Sequence, residues 1–274
     1  MNNGNSPPEV RLVIVGEERW STYGVFNANA YPEAVKYAVN SCSTRAAIFL
    51  VNVAVVQSEV TKDRLRFTQS LVRQREDLTR ALTSRRDLNP VGYYDGLGYL
   101  TALYGCFLSL KSFLDVYSQL MAKLACPGVK MTFKKAKIGN LQLSGGTFIN
   151  WLKGSAPKSF IKATALADLT YEHSKGWITS CVDYRDMLAH YSDIPGMRHM
   201  RLRFRTIHPV FDVTEIEEPR MPDGSPVVSY CTGLLERLRA YVSRSVVLLP
   251  NVKQELISPG TFLAPRQEAS PTKP

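Results

Sequence analysis

Arg185-Asp186-Met187-Leu188-Ala189-His190 places an arginine and a histidine with four residues between them. A guanidinium is always charged and grips phosphate oxygens with a planar fork of donors. An imidazole moves protons near neutral pH. The pair is therefore equipped for acid–base work on a phosphate ester, with no metal required. Spacing by itself does not single it out, because Arg203-Phe-Arg-Thr-Ile-His208 has the same interval. The surroundings separate the two. Arg198 to Ile207 alternates basic and apolar residues, as a strand with one charged face does, and a strand puts residues five apart on opposite faces. The first copy ends an apolar helical zone. Successive helical residues turn by about 100°, so positions 185 and 190 stand about 140° apart. Arg185 must reach round the helix or face a second copy of the chain. Asp186 lies four residues before His190 on the same face, where it could bond a ring nitrogen and fix the tautomer. The helix C-terminal dipole would favour the protonated imidazole.

The elements that must position these residues are mostly helical. Val10 to Val15 is a β-branched run that Tyr23 to Phe26 could join as a small hairpin. Pro32 suits a first helical position, with Glu33 in the first turn. From Ala34 to Arg86 the pattern predicts one long helix or two in succession, apolar at first, then with Leu65, Leu71, Leu78 and Leu82 among arginines. Asn89-Pro90 breaks it. Tyr93 to Leu124 predicts a second long apolar helix, with Gly96, Gly98 and Gly105 serving close helix–helix approach. Val129 to Asn140 reads as a basic loop carrying Lys130, Lys134, Lys135 and Lys137. Gly145-Gly146 is an ordinary loop signal, since no GxxxxGK or GxGxxG surrounds it. A short helix over Thr147 to Lys153 precedes a third helical zone, Ser159 to Tyr191, stopped by Ser192-Asp-Ile-Pro-Gly196. Val210 to Ile216 can pair with the strand that carries Arg201 and Arg203. Tyr230 to Leu249 is a final amphipathic helix. The expected division is an arm over 1–31, a helical domain over 32–254 with a hairpin insertion at about 198–217, and a disordered tail over 255–274.

Bulk composition narrows the partners. The chain has 274 residues, of which 45% are hydrophobic, enough for a well-filled core. Its formal net charge of +10 favours anionic partners. Five scattered cysteines form neither a CxxC nor a Cys/His ligand spacing, so a zinc site and a disulfide framework are both unsupported. Free thiols fit a reducing cytoplasm. The polar stretch Met1 to Glu9 lacks the pattern of a secretory signal. The longest apolar stretch, Ala46 to Val56, is too short to span a bilayer. A soluble, cytoplasmic chain without metal or cofactor is the expectation.

Arg185-Asp186-x3-His190, late in a helical domain, resembles the Rx4-6H signature of the HEPN superfamily, in which a polar residue such as Asn, Asp or His follows the arginine. The resemblance covers roughly Pro32 to Leu249 in architecture and a handful of residues in motif. It implies an all-α fold, an antiparallel bundle of four or five helices with small β-hairpin additions near the N-terminus and between the last two major helices. It also implies a metal-independent endoribonuclease, since many members cleave RNA in toxin–antitoxin, abortive-infection and CRISPR-associated systems. Such members commonly dimerise, so that the arginine and histidine of two protomers meet in one cleft. Carried over, His190 would be general base or acid, Arg185 would stabilise charge on the phosphate, and Asp186 would orient His190. Asp115, polar in an apolar helix, is a possible supporting residue, as is Tyr191. Members paired with a nucleotidyltransferase antitoxin often carry tyrosine two places after the histidine. Here tyrosine follows it directly and Asp193 takes that place, which departs from regulation through such a tyrosine.

RNA contact is expected at Lys130, Lys134, Lys135, Lys137, Arg201 and Arg203. The expected partners are RNA, a second copy of the chain and an antitoxin or other regulatory protein, with no membrane. A catalytically silent HEPN-like module that binds nucleic acid or protein is the alternative, and a purely structural helical scaffold is the third reading. His173 reads as a satisfied structural residue and His199 as a solvated loop residue. No GxSxG elbow, HExxH or carboxylate-rich metal cluster points to a conventional hydrolase.

Overall fold

The computed structural model describes residues 10–15, 33–73, 97–126, 128–190, 201–207, 210–249 and 252–257, with side chains over 37–69, 98–126, 128–189 and 217–249. In chain order the elements are β1 (Val10–Val15), α1 (Glu33–Arg73), α2 (Leu97–Ala125), β2 (Ala136–Ile138), β3 (Leu141–Leu143), α3 (Gly146–Gly154), α4 (Ala163–His173), a π-helical turn (Ser174–Ile178), α5 (Thr179–His190), β4 (Arg201–Ile207), β5 (Val210–Glu217), α6 (Val227–Val246) and β6 (Val252–Ile257). The chain is mostly helical, with three two-stranded sheets among the described residues.

Helices α1 and α2 pack antiparallel along a seam with a seven-residue repeat. On α1 the buried residues Val39, Cys42, Ala46, Phe49, Val53, Val56 and Val60 alternate in steps of three and four, the pattern that keeps one stripe facing a partner helix. Beside this stripe Arg45 donates its Nε–H to Ser112 Oγ at 2.5 Å. Seven residues on, a Cβ at Gly105 would overlap the Asn52 carboxamide, and seven further a Cβ at Gly98 would overlap the Glu59 carboxylate. Small residues on α2 therefore face longer polar ones on α1 at every heptad. The expected role of Gly98 and Gly105 in close approach holds, while Gly96 lies outside the described residues. Helix α2 is buried around most of its circumference, as its apolar pattern requires.

The remaining helices close over α2. Tyr117 on α2 bonds Ser245 on α6 at 2.7 Å, and Thr170 on α4 meets the Tyr241 hydroxyl at 3.2 Å. The Tyr117 and Tyr241 rings meet edge to face at 6.1 Å. Four of the five cysteines are buried free thiols and Cys126 is half-buried, so they serve as small hydrophobes.

Three β features differ from the sequence reading. β1 pairs in parallel with β6 in the register Val10 to Val252 through Val15 to Ile257, a partner the sequence reading did not name, and Tyr23 to Phe26, the expected hairpin partner, lie outside the described residues. A parallel pair needs a crossover, here most of the chain. The final strand also runs three residues past the expected start of the tail at 255. The segment 129–140 is not all loop, because Ala136–Ile138 pairs antiparallel with Leu141–Leu143. The hairpin between the last two helices forms as expected, Arg201 opposite Glu217 and Ile207 opposite Val210.

Helix α1 also qualifies the membrane reading. Tyr37–Gln69 is long and apolar enough by length and composition to cross a bilayer, though a third of its most apolar window (33%) is buried within the fold.

The seam yields a test. Gly105→Leu should destabilise the fold by about 1–3 kcal/mol, as overpacking does. Asn52→Ala in the same chain should recover part of that loss in urea unfolding. A Gly105→Leu variant as stable as wild type would refute close packing here.

Candidate functional site

Helix α5 is continuous from Thr179 to His190, so the motif lies on the last turns of a helix as its sequence suggests. The helix is seated by Tyr184, whose ring lies 5.8 Å from Phe107 on α2 and 6.0 Å from Tyr230 on α6. Burial raises the Tyr184 pKa, and the negative charges of Asp223 and neighbouring groups add to it. The phenol therefore acts as a neutral packing group. Cys181 is fully enclosed on the same helix, and burial holds its thiol well above the ordinary range.

The hairpin loop is brought to α5 by a relay of short contacts. The Phe133 N–H donates to Asp115 Oδ1 at 3.1 Å, while Lys111 Nζ holds the same oxygen at 2.5 Å. The Thr147 hydroxyl donates to the Thr132 carbonyl at 2.6 Å and accepts from the Lys134 N–H at 3.2 Å. The Ser144 N–H donates to Thr179 Oγ1 at 3.1 Å, tying the end of β3 to the start of α5. Gly145 permits this turn, with φ of 81° and the Phe133 ring where its Cβ would stand.

Lys135 is thereby delivered to the motif. Its Nζ lies 2.5 Å from Asp183 Oδ1 and 3.4 Å from Asp186 Oδ2. Arg185 Nη2 lies 3.1 Å from Asp186 Oδ1. The hydrogen bond to Asp183 is the main cause of a raised Lys135 pKa; burial opposes it, and Asp186 adds to it. Two cations and two carboxylates thus form one chain, Asp183–Lys135–Asp186–Arg185, whose formal charges cancel. Arg185 is only 24% exposed, and its Nε–H is enclosed without a hydrogen-bond partner.

The structure therefore joins Arg185 and Asp186 and adds Lys135, which composition had offered only as one of several basic loop residues. Asp186 does not stand free beneath His190, since its two oxygens are taken by Arg185 and Lys135. Asp183 was missed, although it precedes Asp186 by three residues and so shares its helix face. Asp115 is not a buried partner of the motif. It is 41% exposed and fixes the loop two residues before Lys135. Lys130, Lys134 and Lys137 are exposed on this loop and strand. The side chains of His190, Arg201 and Arg203, and the whole of Tyr191, His199 and His208, lie outside the described residues.

His173 is only half satisfied. Its Nδ1 accepts from Trp177 Nε1 at 2.8 Å, which leaves the proton on Nε2, buried without a partner. The pair spans the π-helical turn, and the His173 ring packs 5.1 Å from Tyr241. Among the described residues no group of three or more His, Cys, Asp or Glu side chains could hold a metal ion.

No family model matches the chain, and no curated protein or solved structure is significantly similar to it.

Burial lowers the His173 pKa below its ordinary 6.5, with Glu172 opposing and Arg244 assisting. The unfolded chain then binds the proton more readily than the folded one. Stability should be full above about pH 6.5 and fall as pH drops from there towards the folded value. Urea midpoints and Trp177 fluorescence across this range should show the loss, and His173→Gln should shrink it. An unchanged profile in that variant would show that His173 is not the group responsible.

Proposed function

We propose that the chain is a metal-independent endoribonuclease of HEPN type, acting in the cytoplasm as a homodimer. The observation that carries the proposal is the placement of Arg185 and Asp186 on the end of a packed core helix, beside a loop of exposed lysines. Arg185 contacts the scissile phosphate. His190 takes the proton of the ribose 2′-hydroxyl or gives one to the departing 5′-oxygen. The 2′-oxygen forms a bond to phosphorus as the bond to the 5′-oxygen breaks, leaving a 2′,3′-cyclic phosphate and a 5′-hydroxyl. DNA, lacking the 2′-hydroxyl, is inert. Lys130, Lys134 and Lys137 add sequence-independent attraction for the backbone. The resemblance extends the proposal to a toxin or antiviral effector restrained by an antitoxin or other regulatory partner.

Electrostatics sets a condition on this chemistry. Arg185 is bound to Asp186, so an incoming phosphate must take the carboxylate's place. A partly exposed ion pair is worth about 0–1 kcal/mol, which a phosphate carrying a full charge can offset. Lys135 already holds the other oxygen of Asp186 and would keep it in position after the exchange.

The same charge balance favours a second reading, a catalytically inactive module that binds RNA or a protein through its loop lysines. Purified protein incubated with mixed RNA and EDTA separates the two. Cleavage that persists, yields cyclic phosphate ends and falls by about 10²–10⁴-fold in His190→Ala supports the enzyme. Strict metal dependence, or cleavage undiminished in His190→Ala, sinks it. Binding without cleavage by the wild type supports the second reading. Under either reading, joint replacement of Lys130, Lys134 and Lys137 by alanine should weaken RNA binding and flatten its dependence on salt.

A further inference from the structure

His173 ends α4, and Trp177 stands one turn on, inside the π-helical segment Ser174–Ile178. The indole N–H donates to Nδ1 of His173 at 2.8 Å, so one side-chain bond bridges most of the π-helical turn. Both residues are buried, at 8% and 5% exposure. Where the turn ends, the Thr179 N–H reaches back five residues to the Ser174 carbonyl. Single π turns set inside α-helices are frequent at functional sites. This one encloses two polar atoms without a hydrogen-bond partner, His173 Nε2 and Ser174 Oγ, and each weakens the closed form.

We propose that the π-helical turn is a proton-operated hinge between α4 and α5, held shut by neutral His173 and opened when that ring is charged. A neutral imidazole has one nitrogen free to accept a hydrogen bond, and a charged one has none. A proton on Nδ1 faces the Trp177 N–H across 2.8 Å, donor against donor, and the bond must break. Turning the ring over does not help, since both nitrogens then carry hydrogen. The groups around it do not compensate the charge. Tyr241 of α6 presents its ring at 5.1 Å, a weak partner for a cation taken out of water, and its hydroxyl is engaged with Thr170. Glu172 beside it on α4 is already paired with Arg244 of α6 at 3.3 Å. Lys175, on the turn itself, is exposed.

Opening is local because of what the turn adjoins. Helix α5 begins at Thr179, whose Oγ1 accepts the Ser144 N–H at 3.1 Å. The hinge therefore governs both the start of α5 and its tie to the end of β3. Helices α2 and α6 keep their own contact through Tyr117, Ser245 and Tyr241 while it opens. Global unfolding at low pH exposes every core helix, whereas the hinge frees one segment of a chain that stays folded. The hinge is independent of the chemistry assigned to Arg185 and His190.

Native-state hydrogen exchange of the full chain tests it, with each amide referred to its intrinsic rate at the same pH. Amides over 175–179, the Ser144 amide and the Trp177 indole N–H should exchange through an opening that dilute urea does not promote, the mark of local rather than global unfolding. With His173 titrating at its ordinary 6.5 in the open form, that opening should become about tenfold more frequent between about pH 7.5 and about pH 5.5. Amides of α2 over 110–117 should need urea-sensitive unfolding throughout. His173→Gln keeps an acceptor for the indole but has no proton to gain, so its opening should be equal at both pH values. Gly176→Ala, where a Cβ meets no atom within 4 Å, should make opening about two- to fivefold rarer at both. An opening no more frequent at the lower pH overturns the proposal, as does an equal rise in His173→Gln. So does exchange of the turn only by the urea-sensitive route that serves α2.

Discussion

The antiparallel seam between α1 and α2 is the constraint on which the other elements depend. Its repeat sets Arg45, Asn52 and Glu59 against Ser112, Gly105 and Gly98, so one register satisfies all three. A slip would drive the long polar side chains of α1 into the bulky ones of α2. With that register set, the far side of α2 offers Phe107 and Tyr117 to the later helices. Tyr184, Tyr230 and Tyr241 are the aromatic groups that answer them. The last turns of α5 are held in place by packing that begins sixty and more residues earlier in the chain.

The same dependence governs the charged cluster. Asp115 sits on α2 and secures the Phe133 N–H, and the loop leaving that point brings Lys135 to α5. Lys111, one turn earlier on α2, holds the Asp115 carboxylate in position. The polar residue that stands out in the apolar pattern of α2 acts at a distance from the motif, through the backbone of a loop. Its connection to Arg185 runs through the loop backbone to Lys135 and from there through Asp186.

Much of this architecture is legible in the sequence, and the omissions have physical causes. Long helices announce themselves through periodicity summed over many turns, so α2 and α6 are found within a few residues of their ends and α1 at its start, its expected end at Arg86 lying outside the described residues. The β4–β5 hairpin is found because both strands are long and adjacent. Strands β2 and β3 have three residues each, too few for alternation to emerge from a lysine-rich run. β1 is recognised as a strand, but its partner lies over two hundred residues away, beyond any local signal. The π-helical turn at Ser174–Ile178 leaves helical periodicity nearly intact and so is invisible to it. Asp183 was within reach, since helical spacing alone places it beside Asp186. What spacing could not supply was Lys135, because only the folded hairpin brings that cation to those two carboxylates.

The charge balance around Arg185 bears on how a basic chain recognises an anion. A net charge of +10 describes attraction at a distance, where the loop lysines act in concert. At the motif the balance is local, and there two carboxylates cancel two cations. Long-range attraction and short-range neutrality are compatible: the first raises the concentration of polyanion near the surface, and the second demands that a phosphate exchange with a carboxylate before it can be held. On the proposed function, a diffuse polyanion would be drawn in without being gripped. Only a phosphate that reached Arg185 and displaced Asp186 would gain the forked contact, so selectivity at such a site would derive from the carboxylate as much as from the arginine.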